Sequence, residues 1–301
     1  MSIADRILRV KSSLPGQVEL VAVSKTYPAQ RIMEAYEAGQ RIFGENRPQE
    51  MAQKYEELPK DIEWHLIGHL QTNKVKMVVP FVAMIHSLDS VRLAEAIQKA
   101  AAAAGRTIDV LLEIHVADEE SKSGWEWAEL QEYVRSGAFA RLPNLRVRGV
   151  MGVATNTGDE QVIRRDFAAL QRYKSELSPY FGPEFDTLSI GMSHDYRIAL
   201  EYGATLVRIG SLIFGARDYS KLSESHIETA VPPGRIGSKK AGRSSDTAAR
   251  LCGNKSGKAL FRKGFCPIVF PRPGLPSVRA SDARPPYSPC RSSGRSHRRS
   301  S

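Results

Sequence analysis

Lys25 stands at the end of a short apolar run, where its amine could react with a carbonyl group. The run 18–24 reads Val-Glu-Leu-Val-Ala-Val-Ser and is typical of a buried parallel strand. Partial burial at a strand end lowers the pKa of a lysine and makes the neutral amine available as a nucleophile. Lys25 is therefore a candidate for Schiff-base chemistry. The alternative is a side chain that only reaches from the strand end into solvent.

Two glycine–serine segments later in the chain have the composition of phosphate-binding loops. Residues 191–193 open a predicted helix, and helix N-termini offer N–H groups and a positive dipole end to an anion. The pair Gly210 and Ser211 ends a predicted strand and opens another turn of that kind. For Ser193 alone, a helix cap is the alternative. Arg208 lies in the apolar strand before the second segment. A buried guanidinium needs an acceptor, which is either a carboxylate or a ring nitrogen of a bound cofactor.

Alternating strands and helices position these residues. Eight strands alternating with helices predict an α/β fold, a single (β/α)8 TIM barrel. A doubly wound open sheet is the alternative. Barrel loops after strands seven and eight often bind phosphate, which fits both glycine–serine segments. The predicted strands are 18–24, 41–43 (short), 62–67, 81–86, 107–116, 145–154, 186–190 and 205–209. The predicted helices are 30–38, 46–57, 70–79, 89–104, 126–137, 160–177 and 194–202.

Charge and composition divide the 301 residues into two parts. Residues 1–220 carry a net charge of −3, and residues 221–301 carry +13 and are rich in Pro, Ser and Arg. We predict a folded domain over 1–220 and a disordered basic tail over 221–301, because the tail has too little apolar surface to offset its chain entropy. A nucleic-acid-binding arm is the alternative for the tail. We favour an unstructured extension, and we expect no nucleic-acid partner for residues 1–220.

Several classes of site are excluded by the residues present. The three cysteines, Cys252, Cys266 and Cys290, lie in the tail, so the body has no disulfide framework or thiolate metal site. His65 and His69 are four apart but lack the His-Glu-x-x-His pattern, and we predict no metal. Neither a GxGxxG fingerprint nor a P-loop is present. Without an apolar signal region or a membrane-length run, we expect a cytoplasmic protein with no membrane partner.

The segments that contain the candidate site residues resemble those of a known protein family over about residues 3–219. They are, in chain order, residues 23–26, 43–50, 64–74, 121–124, 149–151, 191–195 and 207–217. Together they resemble the YggS/PROSC family of pyridoxal phosphate homeostasis proteins. Pro48 stands where a non-proline is usual and stiffens the start of a helix, and Ser211 stands where threonine is common. Family members usually end near the segment matching 214–219, so the resemblance does not cover the tail.

The resemblance implies a barrel like the N-terminal domain of alanine racemase, with pyridoxal 5′-phosphate (PLP) as cofactor. It implies that Lys25 holds PLP as an internal aldimine and that Arg208 faces the pyridine nitrogen. It assigns no catalytic residue. The implied cofactor-binding residues are Lys25, Asn46, Met151, Ser193, Arg208, Gly210 and Ser211.

The resemblance also implies a function in PLP homeostasis, in which the protein stores PLP and delivers it to apo-enzymes. A pyridine nitrogen that faces a cation stays unprotonated, so the ring is a poor electron sink and carbanion chemistry is weakly supported. Alanine racemase adds a second base from another domain, for which we find no candidate here. The alternative is a PLP-dependent amino-acid racemase of low activity, so catalytic turnover stays open. We expect a monomer.

Overall fold

The computed structural model describes residues 1–119 and 123–216. Ser121 and Lys122 of the segment 121–124 lie outside the described residues, as do the whole tail 221–301 and its three cysteines. The predicted domain boundary at residue 220 also lies outside them and stays a prediction.

Eight parallel strands close into a barrel in the order in which they occur in the chain, with β8 pairing back to β1. This confirms the predicted (β/α)8 barrel, and the doubly wound alternative is wrong. The strands are β1 (Glu19–Val23), β2 (Ile42–Glu45), β3 (Glu63–Leu66), β4 (Met84–Leu88), β5 (Ile108–Glu113), β6 (Leu145–Met151), β7 (Thr187–Ser189) and β8 (Leu206–Ile209).

A helix follows every strand, and one further helix precedes β1. Leu93, Ala94, Ile97 and Ala101 illustrate the pattern, because they recur at helical spacing and are buried. Pro48 is the first residue of its helix, a position where its missing N–H costs nothing. The helices are α1 (Ile3–Lys11), α2 (Ala29–Glu37), α3 (Pro48–Glu57), α4 (Val75–Val78), α5 (Val91–Ala103), α6 (Trp127–Arg135), α7 (Glu160–Phe181), α8 (Tyr196–Glu201) and α9 (Ser211–Phe214).

The apolar core fills the space where strands and helices pack, while polar side chains are buried among the strands. Phe43, Trp64 and Phe167 are fully buried in the apolar cluster. His86 and Arg208 lie on strands and are also buried. Buried polar side chains require hydrogen-bond partners, so these strands hold a polar network as well as an apolar core.

One glycine is required where β6 meets β7. Gly149 has φ of +156°, and a Cβ there would lie 1.9 Å from the carbonyl oxygen of Thr187. Only glycine permits this approach of the two strands.

Within the described ranges, every helix is too short or too polar to cross a lipid bilayer.

Candidate functional site

The carboxyl ends of the strands surround a pocket of about 530 Å3, called the Lys25 pocket below. Each contributing loop follows directly from a barrel strand, which is why residues far apart in sequence meet here. The lining residues are Val23, Lys25, Asn46, Ile67, Val153, Met192, Ser193, His194, Arg208, Gly210 and Ser211.

Six of the seven predicted cofactor-binding residues line this pocket, and Met151 does not. Met151 is the last residue of β6 and is only 1% exposed. Val153, two residues further along the chain, lines the pocket in its place. The position of Met151 is therefore deeper in the barrel than the prediction implied.

Lys25 is presented by a turn that other side chains hold in place. Thr26, the next residue, has φ of +71°, a left-handed conformation that is rare for a β-branched residue. Its N–H donates to Glu50 Oε1 at 2.6 Å, and the N–H of Tyr27 donates to the carbonyl oxygen of Ser24 at 3.1 Å. The surrounding contacts fix a strained backbone directly beside Lys25.

The Thr26→Gly variant is expected to be more stable by about 1 kcal/mol, because glycine relieves the left-handed strain at this position. Chemical denaturation of the variant and of the unchanged chain measures the difference. Thr107→Gly, at an exposed position without this conformation, is the control and gains nothing. A loss of stability in Thr26→Gly would mean that the threonine side chain contributes more than its backbone strain costs.

A buried ion-pair network anchors the same turn. Lys54 Nζ lies 2.7 Å from Glu45 Oε1, 2.7 Å from Glu50 Oε1 and 2.9 Å from the carbonyl oxygen of Ser24. The hydroxyl of Ser24 donates to Glu45 Oε1 at 2.6 Å. Burial raises the pKa of Glu45 to about 7, while the neighbouring ammonium of Lys54 opposes that rise. All three donor contacts of Lys54 are thus used in holding the turn that contains Lys25.

The two glycine–serine segments meet at one point of the pocket. The N–H of Gly210 donates to Ser193 Oγ at 3.3 Å. Gly191 has φ of +93°, and a Cβ on it would lie 2.7 Å from the Cβ of Ala199. The N–H of Met192 donates to Asp195 Oδ1 at 2.5 Å, which closes the turn. The predicted juxtaposition of the loops after strands seven and eight is therefore present.

One detail of these loops differs from the prediction. Helix α8 begins at Tyr196, so residues 191–195 form a turn and do not open the helix. The residue at the N-cap is Asp195, and the cap interpretation of Ser193 is wrong because its hydroxyl accepts from Gly210. Asp195 is 2% exposed and organises the turn instead of the helix end.

Several backbone donors in these loops remain for a ligand. The N–H groups of Ser193, His194 and Ser211 have no acceptor within the described part of the chain. Ser211 is the first residue of α9, where intrahelical partners are absent by geometry. Three unused donors on two adjoining loops form a site suited to an anion with several oxygen atoms.

Arg208 is held in β8 by neutral acceptors. Its Nη1 donates to the carbonyl oxygen of Ser189 at 2.7 Å and to the Ser189 hydroxyl at 2.6 Å, and its Nη2 donates to the carbonyl oxygen of Gly152 at 2.9 Å. The carboxylate partner that the sequence left open is thus not among its hydrogen bonds. Burial lowers the pKa of Arg208 to about 10, so it is still a cation at neutral pH.

Two buried histidines continue this network. His65 Nδ1 lies 3.0 Å from His86 Nε2, and His86 Nδ1 lies 3.1 Å from Ser189 Oγ. Burial lowers the pKa of His65 to about 4 and that of His86 well below its usual value, so both rings are neutral at pH 7. They support Ser189 and hence Arg208 without adding charge. The position of each histidine inside a predicted strand was the available sequence signal.

Comparison with known proteins identifies the family of this chain. The family model of the alanine racemase N-terminal domain matches residues 1–218. The pyridoxal phosphate homeostasis protein of Aquifex aeolicus is 44% identical over 67% of this chain and 88% of its own length. The Escherichia coli protein of the same name is 42% identical over 69% of this chain and 89% of its own. The chain belongs to the pyridoxal phosphate homeostasis protein family.

Solved structures agree with this family assignment. PipY of Synechococcus elongatus, solved with PLP bound, is 38% identical, with a TM-score of 0.66 over 71% of this chain and 100% of PipY. An alanine racemase of Bartonella henselae is 17% identical, with a TM-score of 0.57 over 71% of this chain and 60% of that one, which shows a shared fold. The family and the alanine-racemase-like barrel predicted from the sequence are confirmed.

A second pocket of about 230 Å3 adjoins the first in this family member and is called the Glu113 pocket below. Glu113 is 8% exposed. Its Oε1 accepts from the hydroxyl of Ser123 at 3.0 Å, and its Oε2 has no hydrogen-bond partner among the residues that the structure describes. Burial raises the pKa of Glu113 to about 7. The sequence analysis did not single out this residue, because a glutamate that ends a strand has no spacing signature.

The Glu113→Gln variant is expected to lose the part of the pH dependence of the unfolding free energy that comes from the ionisation of Glu113. The pKa of Glu113 is raised from 4.5 to about 7 in the folded protein, so its contribution is full below pH 4.5 and is lost as the pH rises to about 7. The stability advantage of the unchanged chain over Glu113→Gln should therefore fall by about 3 kcal/mol over that window. Urea unfolding of both proteins from pH 4.5 to 8 measures the difference, in which the contributions of other titrating groups cancel. A constant difference would contradict the raised pKa.

Metal binding has no support from the histidines. His65 pairs with His86, whereas His69 Nδ1 lies 2.9 Å from Asp89 Oδ2. Across residues 1–119 and 123–216, no group of three or more His, Cys, Asp or Glu side chains is arranged to hold a metal ion.

Proposed function

We propose that this chain binds PLP in the Lys25 pocket, holds it as a Schiff base on Lys25 and delivers it to apo-enzymes. The observation that carries the proposal is that Lys25, the two glycine–serine loops and Arg208 line one pocket. The family relationship supports it, since relatives are pyridoxal phosphate homeostasis proteins and PipY was solved with PLP bound.

The residues present fit the three recognisable parts of PLP. The unused N–H groups of Ser193, His194 and Ser211 suit the phosphate, and Gly210 keeps the second loop close to the first. Lys25 supplies the amine for the aldehyde carbon. Asn46 and the apolar side chains lining the pocket leave space for the ring, while Met151 contributes only from deeper in the barrel.

Arg208 decides between storage and catalysis in this proposal. PLP, when bound, can act as an electron sink for carbanions, provided that its pyridine nitrogen is protonated. Arg208 lines the pocket as a cation with its donors already committed to Ser189 and Gly152. A fixed cation beside the pyridine nitrogen disfavours protonation of that nitrogen. We therefore place storage and delivery of PLP ahead of amino-acid racemisation.

The setting of this function is part of the proposal. We propose that residues 1–220 form the PLP-binding domain, that the protein acts as a monomer in the cytoplasm and that its protein partners are apo-enzymes that use PLP. The tail 221–301 has no assigned part in it.

The carrier and the racemase are separated by two measurements on the PLP-loaded protein. Incubation with L-alanine or L-serine in deuterated water is expected to give no rapid exchange at Cα and no racemisation. Mixing with an apo-form PLP enzyme is expected to restore that enzyme's activity while the carrier loses its bound PLP. Rapid exchange with racemisation would favour the enzyme, and failure to restore the apo-enzyme would contradict delivery.

A further inference from the structure

The Glu113 pocket contains a buried acceptor that nothing in the PLP site uses. Glu113 ends β5 and is nine-tenths buried, and within 1–119 and 123–216 its Oε2 has no hydrogen-bond partner. A buried carboxyl oxygen without a donor is costly, and native proteins rarely keep one without a ligand or other donor to satisfy it. Because Glu113 lines the pocket, a bound ligand can reach it.

The charges around this pocket favour a cation. His69, which lines the pocket, is bonded through Nδ1 to Asp89 Oδ2 at 2.9 Å. His115, which follows β5 and also lines the pocket, has Nδ1 3.2 Å from Glu126 Oε1 and Nε2 3.1 Å from the carbonyl oxygen of Glu119. The carboxylates of Asp89 and Glu126 thus stand behind the two rings and add negative potential to that of Glu113.

The size and the donor set of the pocket favour an organic cation over a metal ion. No group of three metal-ligating side chains occurs within the described residues, so a divalent metal would lack ligands. The cavity of about 230 Å3 is smaller than the roughly 300–1,000 Å3 of sites for drug-sized ligands. A primary ammonium group on a short carbon chain matches this volume, and its N–H donors match the carboxyl oxygen.

We propose that the Glu113 pocket is a binding site for the ammonium group of a small primary amine. The site adjoins the Lys25 pocket, because Asn46, Ile67 and Val153 line both cavities. An amine held by Glu113 would therefore lie next to the residue proposed to carry PLP. The inference goes beyond the proposed function and does not require PLP to be present.

Calorimetric titration of n-butylamine into the full-length chain, without added PLP and at pH 8, tests the site. Saturable binding is expected, and Glu113→Gln is expected to weaken it at least tenfold. Glu129→Gln, which removes an exposed carboxylate on α6, is the matched control and should bind as the unchanged chain does. n-Butanol has the same shape without the charge and should bind at least tenfold more weakly than n-butylamine.

The pH dependence gives a second readout. Butylamine binding should strengthen as the pH rises through 7, because Glu113 ionises while the amine stays protonated. The other groups that act on Glu113 are the hydroxyl of Ser123 and the charges of Asp89, Arg208 and His69. Glu113→Gln should lack this dependence.

Three results would overturn the proposal: no binding of n-butylamine, equal binding by Glu113→Gln, or equal binding of n-butanol. Repeating the titration with Lys25→Met separates this site from the PLP site. That variant should bind the amine unchanged even if it binds no PLP, so either inference can fail without the other.

Discussion

The Lys54→Met variant is expected to lose about 3–5 kcal/mol of unfolding free energy, because it leaves the carboxyl of Glu45 buried without its cation. Lys54 Nζ lies 2.7 Å from Glu45 Oε1, which is fully buried. It also lies 2.7 Å from Glu50 Oε1, whose other contact is the N–H of Thr26. Loss of Lys54 should therefore loosen the turn beside Lys25 as well as the barrel. Urea unfolding measures the stability, and proteolysis at the turn measures the loosening.

A surface lysine supplies the control for Lys54. Lys60 lies 3.8 Å from Glu56, and its side chain is 53% exposed, so Lys60→Met should cost less than about 1 kcal/mol. The double variant Lys54→Met with Glu45→Leu should recover much of the loss, because no buried charge then remains. If Lys54→Met is no less stable than Lys60→Met, the buried ion pair does not support the turn.

The Arg208→Gln variant is expected to lose about 2–4 kcal/mol of stability, since the carbonyl oxygens of Ser189 and Gly152 lose charged donors. Both oxygens are bonded to Arg208, at 2.7 and 2.9 Å, in a buried environment. Under the proposed function, PLP affinity should fall as well, because Arg208 lines the cofactor pocket. Denaturant unfolding and fluorescence titration with PLP measure the two effects.

Two other variants serve as an intermediate case and a surface control for the Arg208 prediction. Arg208→Lys keeps a cation but cannot bond both carbonyl oxygens with a planar fork, so it should fall between Arg208→Gln and the unchanged chain. Arg146 is about half exposed beside Asp109, and Arg146→Gln should change stability by about 1 kcal/mol or less. Equal losses in Arg208→Gln and Arg146→Gln would show that the buried contacts of Arg208 add nothing.

The strands could be predicted from local sequence, and so could some of the residues that line the pocket, Lys25, Ser193 and Arg208 among them. Leu20–Val23 read as a buried strand because each of these residues is apolar, and each is buried in the fold. Because parallel strands place their carboxyl ends at one rim, Lys25, Ser193 and Arg208 were expected to meet there. Closure of the barrel depends on the pairing of β1 with β8, which the number of predicted strands does not reveal.

The networks that hold the site could not be predicted, because each joins several strands at once. In the sequence, Lys54 looks like a surface residue of an amphipathic helix. In the structure, its ammonium group contacts Glu45 at the end of β2 and the carbonyl oxygen of Ser24 just after β1. The segment 191–195 was predicted to open a helix but forms a turn. The turn depends on the buried Asp195, which accepts from the N–H of Met192, and the sequence does not distinguish this aspartate from any other polar residue. Met151 was placed at the pocket by resemblance, which carries no information on depth in the barrel.

Borohydride reduction of the PLP-loaded protein, followed by peptide mapping, tests the central claim most directly. The account predicts one pyridoxyl group, on the peptide that carries Lys25, and none on the peptide that carries Lys54. Lys25→Met treated in the same way should incorporate no label, while Lys60→Met should be labelled as the unchanged chain is. A label on another residue, or an unmodified Lys25 in protein saturated with PLP, would contradict the assignment of Lys25 as the PLP-binding lysine.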